Sequence, residues 1–143
     1  MTDNMMRLRE LARGIAPEES ISDDDAGFTI EFSEAPLFFF SAGGHSAAAY
    51  CRACVARLGS LPLPPSFAEE ALKGNFFWRG TDGATLSYEK DENAIYLTDR
   101  FDDGAFADEA AFADYAAGIV ATLADWRARL SVCLPETSDG KEA

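Results

Sequence analysis

The spacing of apolar residues changes twice along this chain, and that change limits what the chain can fold into more than any other feature. Phe28, Ile30 and Phe32 alternate with Thr29, Glu31 and Ser33, so this segment has one apolar and one polar face, as a half-buried strand does. Before it, Met5, Leu8, Leu11, Ala12 and Ile15 recur at spacings of three and four, with Arg7, Arg9, Glu10 and Arg13 between them. That pattern predicts an amphipathic helix from about Asn4 to Ile15. Near the other end Phe112, Tyr115, Ala116, Ile119, Val120, Leu123, Trp126 and Leu130 keep a helical stripe over about five turns, with Arg127 and Arg129 late in it. Helices at both ends with strand periodicity between them predict an α+β chain whose sheet packs on helices.

The intervening segments fill in the order. Pro17 and the run Asp23, Asp24, Asp25 read as an exposed connection, because clustered like charges resist compaction. Pro36 precedes Leu37 to Phe40, a short apolar run that suits a second strand, and Gly43 with Gly44 supplies a turn after it. From Ser46 to Leu58 local propensity favours helix, since alanines and the spacing Cys51, Cys54, Val55, Leu58 lead up to Gly59; Tyr50 and Val55 are better strand residues. Ser66 and Glu69 have the spacing of a capping box after Pro64 and Pro65, predicting a helix over Phe67 to Lys73 that Gly74 closes. Asp82 and Gly83 turn the chain into Ala84 to Tyr88, and Asp91 to Asn93 into Ala94 to Arg100, a second hairpin. Pro135 and the polar end Glu136 to Ala143 are expected outside the fold, leaving one domain over 1–134.

Composition narrows the function. The 143 residues suit one domain, and with 48% hydrophobic residues there is enough apolar surface for a core. The longest mainly apolar stretch, around Leu37 to Phe40, is far short of the roughly 20 residues a membrane span needs, so no membrane insertion is expected. Met1 to Arg13 mixes charges with apolar positions, unlike a secretory signal. Three cysteines, an odd and sparse set, fit a reducing cytoplasm better than a disulfide framework. The net charge of −13 repels phosphate backbones and favours basic partners, which argues against nucleic acid as a partner.

Chemistry is thin. The only histidine, His45, sits in a Gly-rich turn beside Ser41 and Ser46, which reads as a water-exposed turn residue and not a catalytic base. Cys51 and Cys54 form a C-x-x-C, but a structural zinc takes four ligands, and on a strand these two positions point to opposite faces. Asp23 to Asp25, Asp102 and Asp103 lack the alternation of a calcium loop, and no phosphate-binding glycine loop is present. No catalytic residue, metal or cofactor is therefore expected. A surplus of large apolar residues without chemistry is the profile of a binding protein, although each of these residues also fits a plain core position.

Four stretches carry a resemblance: Leu58-Gly59-Ser60-Leu61-Pro62, then Leu72-Lys73-Gly74-Asn75-Phe76, Gly83-Ala84-Thr85-Leu86-Ser87-Tyr88, and the closing Trp126-Arg127-Ala128-Arg129-Leu130. In this order, and over nearly the whole chain, they resemble the type III secretion chaperone family typified by the Tir chaperone. The resemblance implies the order helix, three strands, helix, two strands, helix, with a twisted antiparallel sheet packed on the helices, and it makes Ala47 to Leu58 the third strand. It further implies a cytoplasmic homodimer, needing no nucleotide, that holds the N-terminal chaperone-binding segment of a secreted effector in a soluble, secretion-competent form. On that reading the effector meets the first helix (Leu8, Leu11, Ile15) and first strand (Phe28, Ile30, Phe32). The dimer seam uses Leu72, Phe76, Trp78 and Leu86. The alternatives are a regulatory protein-binding module of the same fold unconnected with secretion, and a thiol or metal enzyme using Cys51 and Cys54.

Overall fold

The helical stripe near the start folds as α1, Asp3–Arg13, and the run of elements after it is β1 (Ile21–Asp23), β2 (Gly27–Phe32), β3 (Ala35–Ser41) and β4 (Ala49–Arg57). Then come α2 (Pro65–Asn75), β5 (Thr85–Glu89), β6 (Ala94–Phe101) and α3 (Glu109–Cys133), with 3-10 turns at Glu18–Ser20 and Phe76–Trp78. The structure, a computed structural model, describes residues 3–33, 35–41, 48–102 and 104–135. The expected turn at Gly43, Gly44 and His45, the first residue of the expected third strand, Ala47, and the tail 136–143 lie outside the described residues.

The six strands form one antiparallel sheet in the order β1-β2-β3-β4-β6-β5. Alternation sorts the side chains: on β3 and β4, Leu37, Phe39, Cys51, Ala53 and Val55 are buried while their neighbours are half-exposed. The helices cover the buried face. α1 packs on β2 and β3, α3 runs across β4, and α2 sits over β5. Phe112 of α3 meets Phe39 at a ring distance of 5.2 Å, and Phe39 stacks on Phe28 at 5.2 Å, so aromatic contacts tie α3 to the sheet.

The Ala-rich segment is a strand, β4, as the family resemblance implies and against its own helical propensity. Its small side chains leave room for α3 to approach, and pairing with both β3 and β6 outweighs a propensity difference of less than about 1 kcal/mol per residue. Register shifts between Cys54 and Ala56, a bulge, and Arg127 of α3 donates to the carbonyls of Cys54 (2.8 Å) and Val55 (3.2 Å) there.

Three local expectations are corrected. The segment read as an exposed acidic connection contains β1: Ile21 is buried, and Arg9 of α1 donates to Asp23 (2.7 Å) and Glu18 (2.8 Å), removing the repulsion that argued against order. The capping box does not form. Pro65 takes the first helical position, where its missing N–H costs nothing, so Ser66 lies inside α2 and Pro64 is the cap residue without a side-chain bond. Gly74 does not end α2, which runs to Asn75; it is buried against the Trp126 ring. The stretch after β4 is held by the β5–β6 turn, where Asn93 donates to the carbonyls of Gly59 (2.9 Å) and Leu61 (2.8 Å).

Candidate functional site

The six side chains expected to meet a partner are divided by the fold. Leu8, Phe28 and Ile30 are in the core, so a partner can touch them only if the core opens. The reason is geometric: the apolar stripe of α1 has a middle row, Met5, Leu8 and Ala12, that is buried where α1 packs on the sheet and α3, and a flank. Leu11 is on that flank, whereas Ile15, expected inside the helix, lies in the turn just past its end at Arg13; like Phe32 at the end of β2, both are half-buried against the core with one side toward solvent.

Beside this flank lies one free edge of the sheet. Across the β1–β2 hairpin the Asp24 N–H donates to the Gly27 carbonyl (2.9 Å), and alternation of an antiparallel ladder then turns the Asp23 N–H and C=O away from β2. The other edge, β5, is different. The Asn75 side chain accepts from the Leu86 N–H (2.9 Å) and donates to the Leu86 carbonyl (3.0 Å), occupying the outward backbone groups of that residue.

The residues expected at a dimer seam also divide. Leu86 is buried, facing α2. Leu72 is 73% exposed, Phe76 63% and Trp78 51%, and Phe77 joins them at 67%. Between α2 and β5 an apolar cavity of about 240 Å³ opens, with Leu63, Phe67, Leu72, Leu86 and Ile95 in its walls. The sequence marks Phe76, Phe77 and Trp78 as an aromatic run, but three consecutive apolar residues carry no period to say which turn outward. Phe77 was missed for that reason, and Tyr88, also exposed here, because its alternation places it on the covered face beyond the end of α2.

The outward display has a conformational cost. Phe77 and Trp78 have φ of 51° and 55°, the left-handed region, which costs roughly 1–2 kcal/mol for a residue with a Cβ. The loop is tied down by bonds from Gly80 N–H to the Gly74 carbonyl (3.0 Å), from Trp126 Nε1 to the Gly80 carbonyl (2.9 Å), and from Trp78 Nε1 to Thr85 Oγ1 (3.0 Å). Within one chain these aromatic side chains remain half or more exposed despite that cost.

The thiols do not form a site. Cys51 is buried and Cys54 half-buried, three positions apart on β4 and so on opposite faces. Burial pushes the Cys51 thiol up to about 12, away from the thiolate that chemistry needs. Among the described residues no group of three or more His, Cys, Asp or Glu could hold a metal, and no helix is long and apolar enough to cross a membrane. His45 lies outside the described residues.

The geometry therefore consists of surfaces, and comparison with known proteins bears on their use. The sequence model of the Tir chaperone protein (CesT) family matches residues 54–127, which is more than half the chain. The fold is similar to a chain of the ExsC–ExsE complex, at 14% identity and TM-score 0.67, over 90% of this chain and 97% of that one. It is also similar to a chain of the HopA1–SchA chaperone–effector complex, at 12% identity and TM-score 0.61, over 87% and 95%. A third is in the heterodimeric ExoU–SpcU complex from the type III secretion system of Pseudomonas aeruginosa, at 19% identity and TM-score 0.57, over 96% and 100%. Comparison with curated protein sequences finds no match.

Proposed function

The chain belongs to the Tir chaperone protein (CesT) family, and from that premise we propose that it is a type III secretion chaperone, a cytoplasmic homodimer that binds the N-terminal chaperone-binding segment of an effector and keeps it soluble and secretion-competent. Family membership is the observation that carries this reading. The exposed apolar surface agrees with work done by binding.

Two surfaces divide the labour. Leu72, Phe76 and Trp78, with Phe77 and Tyr88, form the dimer seam, and Leu86 is the floor of the cavity beneath it. Because Asn75 already occupies the outward backbone groups of Leu86, the two copies meet there through side chains. The effector takes the other side, where Leu11, Ile15 and Phe32 are half-exposed and the Asp23 backbone is open to pairing with an extended strand. Backbone pairing there is indifferent to side chains, and each large apolar side chain buried adds about 1.5–3 kcal/mol before ordering costs.

Affinity capture of the tagged chain from its own cells, with limited proteolysis and mass spectrometry of what stays bound, tests this. The reading predicts one larger secreted protein, protected over a single stretch near its N-terminus. Recovery of a folded regulator, protected throughout, would contradict it and favour a binding module of the same fold unconnected with secretion.

A further inference from the structure

The sheet face turned away from the helices carries an arrangement that the chaperone reading does not yet use. Arg52 of β4 lies opposite Phe38 of β3 and next to Tyr96 of β6, and its guanidinium carbon is 5.3 Å from the Phe38 ring centre, 5.9 Å from Phe40 and 4.7 Å from Tyr96. Phe38 and Phe40 stack at 4.8 Å, and Phe40 stacks on Tyr50 at 5.5 Å. These rings form a floor that positions the guanidinium through its π-face.

Stacking leaves the in-plane N–H donors of a guanidinium unused, and those donors match a carboxylate in fork geometry. Among the described residues no acidic side chain pairs with Arg52. Glu92 feels the Arg52 charge but is bonded elsewhere: it accepts from the Tyr96 hydroxyl and pairs with Arg57 at 3.3 Å. In a chain with 25 acidic against 12 basic residues, a half-buried arginine with no carboxylate at ion-pair distance among the described residues is out of keeping with its surroundings. Arg52 opens onto a cavity of about 290 Å³ whose rim includes Asp24 and Thr29 and so runs up to the β1–β2 edge.

We propose that this aromatic platform is a subsite for one acidic side chain of the bound segment, its Asp or Glu carboxylate gripped by Arg52 while apolar neighbours lie on the half-buried Phe38 and Phe40. The inference rests on the effector-binding reading and adds a register to it. Apolar burial alone lets a segment slide, whereas one charge-assisted pair fixes which residue sits over β4. A peptide fits better than a free phosphate or nucleotide, because the net charge of −13 repels polyanions and Arg52, unlike Arg57 at the same cavity, which pairs with Glu92, is flanked by the apolar faces of Phe38 and Phe40.

The test is selection of short random segments, fixed at both ends within a carrier protein so that only side-chain carboxylates are present, on three full-length proteins. These are the wild type, Arg52→Met and Arg52→Glu, with near-ultraviolet circular dichroism as the check on folding. The wild type is expected to enrich segments with an acidic residue at fixed spacing from apolar ones, and to bind them about tenfold more tightly than their Gln or Asn counterparts. Arg52→Met keeps the apolar stem and should lose that preference, and Arg52→Glu should replace it with one for Lys or Arg. Enrichment of the same acidic segments by Arg52→Met, or retention of apolar segments by the wild type without acidic preference, overturns the subsite and leaves the chaperone reading standing. If none of the folded proteins retains any segment, both fall.

Discussion

A Cβ added at Gly74 would fall 2.5 Å from Cζ2 of Trp126, whose ring is fully buried, edge-on to Phe67 at 5.9 Å and bonded through Nε1 to the Gly80 carbonyl. Helix propensity alone makes Gly74→Ala inside α2 stabilising by about 1 kcal/mol. Overpacking against a ring held on both sides destabilises by about 1–3 kcal/mol, and because that cost exceeds the gain in propensity it decides the sign. Urea unfolding should show a lower midpoint with unchanged slope; a raised midpoint would mean that Trp126 has room to shift. A second residue sets a pH dependence. Asp99 accepts from the Tyr115 hydroxyl (3.1 Å), and burial holds its carboxyl above the usual range, with Asp82 adding to the effect and the Arg100 N–H and Tyr115 opposing it. The folded state thus keeps this proton longer than the unfolded chain, so the group's contribution to stability falls as pH rises through the ordinary Asp range near 4 to its raised folded value. Asp99→Asn, which keeps an acceptor for Tyr115 and removes the charge, should raise Tm at pH 7 by about 1–2 °C and lose that advantage in acid. A pH-independent difference would contradict this. Neither residue could be read from the sequence: periodicity finds Trp126 in the core stripe, but not that Gly74 is its wall, and Asp99 stands in a strand pattern with nothing to mark it as buried.

At the scale of elements, what decides order is a partner outside the segment. β4 has helical propensity and is a strand because β3 and β6 flank it, so propensity without the family's element order would have misplaced it. β1 was illegible for the opposite reason, since Asp23, Asp24 and Asp25 announce repulsion and the neutralising cation comes from Arg9, on a different element. Arg9→Ala should therefore release β1 selectively, with amide exchange at 21–23 accelerating about fivefold to tenfold while the β3–β4 ladder keeps its protection. Equal acceleration across the sheet would mean that Arg9 supports the whole core, and none would mean that Ile21 alone holds the strand. The period-two pattern of β2 and the long stripe of α3 were legible because each faces the core along its whole length. The flank and middle row of α1 were not distinguishable, because both are apolar and only the sheet's position separates them.

The whole molecule joins a covered face, an open face and two sheet edges with different fates. One edge is occupied at Leu86 by Asn75 beside the exposed aromatics, and the other is open beside the half-buried flank of α1. The class and the order of every helix and strand except β1 were readable from the sequence, while which apolar residues stay exposed depended on how layers stack. Leu72→Glu places a charge in the centre of the proposed seam without touching the core, and should convert the dimer to monomers while leaving the far-ultraviolet spectrum intact. A dimer that survives this substitution would move the seam elsewhere. The most direct test of the central claim is native mass spectrometry of the chain purified gently from its own cells. The account predicts a species of two copies, each of 15.5 kDa, with one larger protein bound, whose binding is lost when its N-terminal segment is removed. A lone 15.5 kDa chain, or a partner whose binding survives that removal, would contradict it.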